Sequence, residues 1–234
     1  MFGSLISAIK LCFRIIFTDP KASLSDMNYE EYNRTDEISE IGHRFPNRFF
    51  IYEKLVSEKS TVLDIGCGDG TLLKYLEEKK HIAGSGMDIS KVGVDRARAK
   101  GINAQVCNIT DSGFSLKEAY GYIILSEIIE HIPEPELIFK KIENSFHTSV
   151  LISIPNAAYL PYRIRLLMGK FPAQWTIHPS EHLRYWSIVD FKHWVKELGF
   201  YVEKYYVYDG FPLLWKIFPN LFGLSTVFVI KKVK

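Results

Sequence analysis

The sequence predicts an α/β fold in which seven strands alternate with helices at the rhythm of a mostly parallel sheet. Two observations carry this. Short runs rich in β-branched and aliphatic residues recur between longer segments whose apolar positions have helical spacing. The first complete run, Val62-Leu63-Asp64-Ile65, opens into Gly66-Cys67-Gly68-Asp69-Gly70 and a helix-like segment, and the next ends at Asp88, eighteen residues beyond Gly70. A strand that turns through glycines into a helix aims backbone N–H groups at one spot, which describes a nucleotide pocket.

Residues 1–22 form an amphipathic helix by pattern, with Leu5, Ile6, Ile9, Phe13, Ile16 and Phe17 at helical spacing and Lys10 and Arg14 among them. The segment is too short and too charged to span a bilayer. No basic stretch precedes it and no small-residue cleavage site follows before Asp19-Pro20, so no signal peptide is expected. Two roles stay open: packing on the domain, or lying in a membrane interface. Residues 23–58 read as a polar, acidic lid or linker with a short helix near 29–34, followed by a helix within 45–58 that carries Phe49, Phe50, Tyr52, Leu55 and Val56 into the first strand. In the domain proper, 59–234, strands are expected near 61–64, 82–88, 104–107, 122–126, 150–154, 201–207 and 226–231. Helices are expected near 71–79, 90–100, 134–144 and 188–198. Gly101 and Gly199 stand where C-terminal caps belong, and Ser187 with Asp190 gives a capping-box-like start to the last helix.

The insert 155–186 breaks this alternation with Tyr159, Tyr162, Trp175 and Trp186 beside Arg163, Arg165, Lys170 and Arg184. It leaves strand five at the carboxyl end of the sheet, where ligands of open α/β sheets bind, so it is expected to roof the pocket and select the substrate.

With 234 residues the chain has ample length for a large core, and a net charge of +2 gives no electrostatic footprint for duplex nucleic acid. Small molecules or a membrane surface are the expected partners. Cys12, Cys67 and Cys107 are scattered without C-x-x-C spacing, which suggests neither a zinc site nor a disulfide framework and fits a reducing cytoplasm.

The third glycine of the loop comes one residue earlier than in the G-x-G-x-x-G turn of nicotinamide enzymes, and Asp64 stands where a pyrophosphate would meet a negative charge. S-adenosylmethionine has no phosphate and carries an ammonium and a sulfonium, which suit an acidic loop. On these residues the chain resembles the class I S-adenosylmethionine-dependent methyltransferases. The resemblance implies a Rossmann-like sheet of seven strands, mostly parallel with the last antiparallel. It also implies S-adenosylmethionine as cofactor. Asp64 and the loop residues Gly66, Cys67, Gly68 and Gly70 would meet the methionine portion, Asp88 with Ile89 the ribose, Asn108 with Ile109 the adenine, and Ser126 with Glu127 the far side. Asn108 departs from the aspartate that many relatives have there, although its amide can still accept and donate.

Methyl transfer is an in-line displacement, to which positioning alone contributes on the order of 7–11 kcal/mol. Ser126-Glu127-Ile128-Ile129-Glu130-His131-Ile132-Pro133 resembles a family run in which a histidine follows the fourth strand, so His131 is either a general base or a residue that orients the loop. His178-Pro179-Ser180-Glu181-His182 reads as H-x-x-E-H, a zinc-protease pattern, but Pro179 pushes His178 out of helical geometry and no third ligand is evident, so no metal is expected. The run from His182 to Ser187 instead resembles one that precedes the penultimate helix in methyltransferases acting on sugars or other small acceptors, which makes His182 a second base candidate.

Ile154-Pro155-Asn156, Tyr162-Arg163-Ile164-Arg165-Leu166-Leu167, Gly169-Lys170, Pro172 and Ile188-Val189-Asp190-Phe191 resemble the methionine-biosynthesis MetW family over about residues 61–200. The chain departs from that family in the roughly sixty residues before the first strand and in the stretch 176–186. Residues 211–222 resemble the tail of MetW-like enzymes found with surface-glycan synthesis. With the first helix, this tail would form an apolar, positively flanked face for anionic lipid on the cytoplasmic side, a homodimer contact, or packing on the sheet. The expected activity is O-methylation of a small molecule, sugar or lipid-linked glycan. The alternative implied by the MetW resemblance is a cofactor-binding partner of homoserine acyltransferase with little methyl transfer of its own.

Overall fold

The structure, a computed structural model, describes residues 2–17, 47–172 and 182–233. Its helices are α1 (Phe2–Phe17), α2 (Asn47–Leu55), α3 (Thr71–Lys80), α4 (Lys91–Ala99), α5 (Pro135–Ile142), α6 (Leu160–Leu167), α7 (Ile188–Glu197), α8 (Leu214–Ile217) and α9 (Pro219–Phe222). Its strands are β1 (Thr61–Ile65), β2 (Ala83–Asp88), β3 (Asn103–Val106), β4 (Tyr120–Ser126), β5 (Phe146–Pro155), β6 (Phe200–Gly210) and β7 (Gly223–Lys232). The short helix expected near 29–34 lies outside the described residues.

The seven strands form one sheet in the order β3-β2-β1-β4-β5-β7-β6. β1 pairs in parallel with both β2 and β4, whereas β7 runs antiparallel to β5 and β6, as the resemblance implies. The central strands β1 and β4 are buried on both faces and carry mostly apolar residues, with Asp64 the buried exception in β1, because helices cover both of their sides. One core packs Tyr52, Leu73, Leu76 and Val94 of α2, α3 and α4 on one face, and the other packs Ile138, Phe139, Phe191 and Val195 of α5 and α7 on the opposite face.

The expected caps hold. Asp190 N–H donates to Ser187 Oγ at 3.1 Å, and Gly101 and Gly199 take φ of +84° and +83° just past α4 and α7. α6 was not expected. Pro161 in its first turn and Gly169 two residues past its end are both cues compatible with a helix, but the insert's aromatic residues mask the periodicity.

α6 holds α1. Tyr159 and Tyr162 form a small core with Cys12, and the guanidinium of Arg165, 2% exposed, donates through Nη1 to Ile15 O at 2.9 Å and to Ile16 O at 3.2 Å. Arg165 thereby closes the last carbonyls of α1, the groups that a helix end leaves without internal partners. The rest of α1 faces outward, with Leu5, Ile6, Ile9, Phe13 and Phe17 exposed. The helix therefore packs on the domain and presents an apolar face as well. Among the described residues no helix is long and apolar enough to cross a membrane.

Candidate active site

The strand order reverses between β1 and β4, and at the carboxyl ends of β1, β2, β3 and β4 lies a cavity of about 350 Å³. Gly66 and Gly68 take φ of +79° and +51°, which lets the loop after β1 fold over the cavity and expose backbone. Gly68 N–H donates to Asp88 Oδ2 at 2.8 Å and Ser90 N–H to Asp88 Oδ1 at 2.8 Å. Both oxygens of Asp88 are thus fixed by the loops they join, at the wall of the cavity.

Gly66, Gly68, Asp88, Ile89, Asn108, Ile109, Ser126, Glu127 and His131 line the cavity. Asp64, Cys67, Gly70 and His182 stand behind its wall. Cys67 packs in the core, where its Sγ leaves no room for a side chain at Gly86, and Gly70 is the left-handed residue that starts α3. Asp64 is 2% exposed, and burial, then the nearby Asp88 charge, push its carboxyl up to about 8. Asn108 reaches the cavity, but its amide oxygen already accepts from Thr110 N–H at 3.1 Å and Thr110 Oγ1 at 2.7 Å, while its NH₂ donates to Asp111 Oδ1 at 2.7 Å. The turn after β3 therefore engages the amide oxygen twice and one of the two N–H donors of its NH₂ group.

The far wall contains residues that the sequence reading missed. Arg48 of α2 lines the cavity and donates from Nε to Ser126 Oγ at 3.0 Å. Glu127 holds φ of +56°, a conformation costing an L-residue about 1–2 kcal/mol. Its N–H donates to Ser153 Oγ at 3.0 Å, and its Oε1 accepts from the buried Tyr208 hydroxyl at 2.7 Å. Strain held in place by several partners is a feature of functional sites. No sequence signal links Arg48, Ser153 and Tyr208, which come from one helix and two separate strands.

The described part of the insert does not roof this cavity; no residue of 155–172 or 182–186 lines it. The insert turns away to hold α1 and returns beside the loop after β4, where Leu183 N–H and Arg184 N–H donate to Glu130 O at 2.8 and 3.0 Å. That return sets the ring of His182 edge-on against His131, with centroids 4.8 Å apart and planes at 83°. Burial, then the neighbouring His131, push His182 down to about 3, so its ring is neutral at any physiological pH. Its Nδ1 is buried with no hydrogen-bond partner among the described residues. The carboxylate of Glu130, 1% exposed, lies beside the pair with Oε1 3.9 Å from His131 Nε2. His178 and Glu181 of the H-x-x-E-H pattern lie outside the described residues.

The family model described as methionine biosynthesis protein MetW matches residues 47–230. A ubiquinone biosynthesis O-methyltransferase of Coxiella burnetii is 28% identical over 126 residues, 51% of this chain and 53% of that protein. An (S)-tetrahydroprotoberberine N-methyltransferase of Eschscholzia californica is 25% identical over 136 residues, 56% of this chain and 38% of that protein. The chain thus spans about half or less of the length of these curated relatives. A methyltransferase of Geobacter sulfurreducens in complex with S-adenosyl-L-homocysteine superposes with a TM-score of 0.58 at 13% identity, covering 89% of this chain and 99% of that one. The putative methyltransferase solved with the Haloferax volcanii Trm112 activator superposes with a TM-score of 0.62 at 17% identity, covering 88% and 99%. At such identities these superpositions establish the fold.

Proposed function

Because this chain belongs to the methionine biosynthesis protein MetW family, whose model matches residues 47–230, we propose that it is an S-adenosylmethionine-dependent methyltransferase acting on a hydroxyl of a small molecule, sugar or lipid-linked glycan. The observation that carries this reading is the Asp88 carboxylate, held by Gly68 N–H and Ser90 N–H at the mouth of a cavity floored by positive-φ glycines. Such a carboxylate takes both hydroxyls of a ribose. Ile89 and Ile109 offer apolar faces for the adenine, and Gly66 and Gly68 offer backbone to the methionine portion. Asp64, Cys67 and Gly70 shape that loop from behind, and Asp64 adds a carboxylate that the cofactor's positive charges would favour in its ionised form.

Ser126 and Glu127, braced by Arg48 and Tyr208, face the transferred methyl, with His131 and His182 on the acceptor side. The acceptor oxygen attacks the methyl carbon as the carbon–sulfur bond breaks. The bonding pair passes to sulfur, which leaves as the thioether of S-adenosylhomocysteine, and the hydroxyl proton departs on the His131 side. Calorimetric titration with S-adenosylmethionine, S-adenosylhomocysteine and NADH tests the cofactor class. Binding of the first two alone supports the reading, and NADH binding alone overturns it. A second reading, a cofactor-binding partner protein, is favoured by the family's description and requires cofactor binding without turnover across a labelled-methyl acceptor screen.

Ile6, Phe13 and Phe17 are exposed on α1, whose Cys12 shares a core with Tyr159 and Phe211, and Ile217 and Phe218 are exposed a few residues beyond Phe211. Lys10 and Arg14 are exposed on α1, which has no acidic residue. This face fits an anionic lipid surface on the cytoplasmic side, where three unpaired cysteines are stable. Sedimentation with anionic and neutral vesicles tests it with the variant Ile6→Glu/Phe13→Glu. Equal pelleting of both proteins, or a concentration-dependent dimer without vesicle binding, refutes it.

A further inference from the structure

We propose that Glu130, His131 and His182 form a binding site for a divalent first-row transition cation, which would hold the acceptor hydroxyl at the far end of the pocket. One donor atom from each of the three side chains lies within 4.8 Å of the other two. In a centre with metal–ligand distances near 2.0–2.2 Å, neighbouring donors stand roughly 3 Å apart, so small rotations about the side-chain torsions complete the set. Two imidazoles and one carboxylate suit zinc, cobalt, nickel or iron(II) better than magnesium or calcium, which favour all-oxygen shells.

Three features make this more than a chance grouping. The first is burial: the Glu130 side chain is 1% exposed and lies in the interior beside the two imidazole rings, so its oxygens are held where the ring nitrogens converge. The second is backbone fixation. Glu130 O accepts from both Leu183 N–H and Arg184 N–H, and Arg184 Nε donates to Pro133 O at 2.9 Å, so two segments fifty residues apart are tied together where the donors meet. The third is access. The buried Nδ1 of His182 has no hydrogen-bond partner among the described residues, which leaves a ring nitrogen for an ion. His131 lines the cavity, so an ion on this set is open to a ligand from the cofactor side.

Three protein ligands leave positions free on such an ion. An acceptor hydroxyl bound there becomes more acidic, as bound water does, and loses its proton to solvent before attacking the methyl. The purpose of the site rests on the methyltransferase reading, but its existence does not. The test is titration of untagged, chelator-treated full-length protein with Co²⁺, followed by visible absorption, with S-adenosylhomocysteine calorimetry run in parallel. One Co²⁺ per chain is expected, displaceable by Zn²⁺, with affinity lowered about 10–100-fold or more in Glu130→Gln and in His182→Gln while S-adenosylhomocysteine affinity is kept. The absence of a saturable band overturns the site, as does wild-type Co²⁺ affinity in both variants. Product binding without Co²⁺ binding removes the cation and leaves the methyltransferase reading standing. Co²⁺ binding without product binding does the reverse.

Discussion

Gly66→Ala isolates what the loop after β1 requires. A Cβ at Gly66 would lie 2.1 Å from Ile128 Cδ1 and 2.4 Å from Cγ1, at a backbone φ of +79°. The left-handed conformation costs an L-residue about 1–2 kcal/mol. Forcing Ile128 aside costs about 1–3 kcal/mol more, as overpacking does. The sum is about 2–5 kcal/mol of stability. Ile128 lines the cavity, so its displacement into that space should also weaken S-adenosylhomocysteine binding at least about tenfold, or 1.4 kcal/mol. The assay is a double-mutant cycle in urea with Ile128→Ala, which removes the overlap and leaves φ unchanged. In that background Gly66→Ala should cost only about 1–2 kcal/mol. An equal cost in both backgrounds would refute the overlap argument, and a cost below about 0.5 kcal/mol in wild type would refute both parts.

Three further perturbations follow from the same geometry. Asp88→Ala removes the acceptor for Gly68 N–H and Ser90 N–H as well as the ribose contact, so cofactor affinity should fall at least about a hundredfold by calorimetry, roughly 2.7 kcal/mol; unchanged affinity would sink the ribose assignment. Asp64 titrates near 8 when folded against an ordinary value of 3.8, so between these pH values the unfolded chain holds fewer protons and stability falls as pH rises; Asp64→Asn should flatten that slope in urea titrations at pH 5 and 8, and an unaltered slope would contradict it. Arg165→Met removes the donors to Ile15 O and Ile16 O, so hydrogen exchange in α1 should accelerate by about 2–3 kcal/mol of lost protection while β1 and β4 stay protected; an unmoved α1 would show that Arg165 does not hold it.

The proposed cofactor half of the site was legible because its residues lie close together in sequence. Gly66, Gly68 and Asp88 belong to two neighbouring strand–loop units, and the chemistry of a loop that must take positive φ is written in residue type. Asn108 shows where that legibility ends. Its residue type allows an adenine contact, but whether the amide is available depends on Thr110 and Asp111, which engage it within the same turn. The insert shows a second limit. Its position after β5 suggests a roof, but its Tyr159, Tyr162 and Arg165 hold α1, which lies some 150 residues earlier in the chain.

The sequence by itself determined the alternation of strands and helices, the caps at Ser187, Gly101 and Gly199, and the glycine loop, because each depends on interactions within a few residues. Only the tertiary structure decided that Arg48 and Tyr208 brace Ser126 and Glu127, that Asp64 is buried, and that His182 meets Glu130 and His131. Those relations join residues 51 to 81 positions apart, between α2 and the end of β4, between β6 and the residue after β4, and through the return of the insert. Burial and the distance between charges are properties of the packed sheet, and no local pattern of residues encodes them.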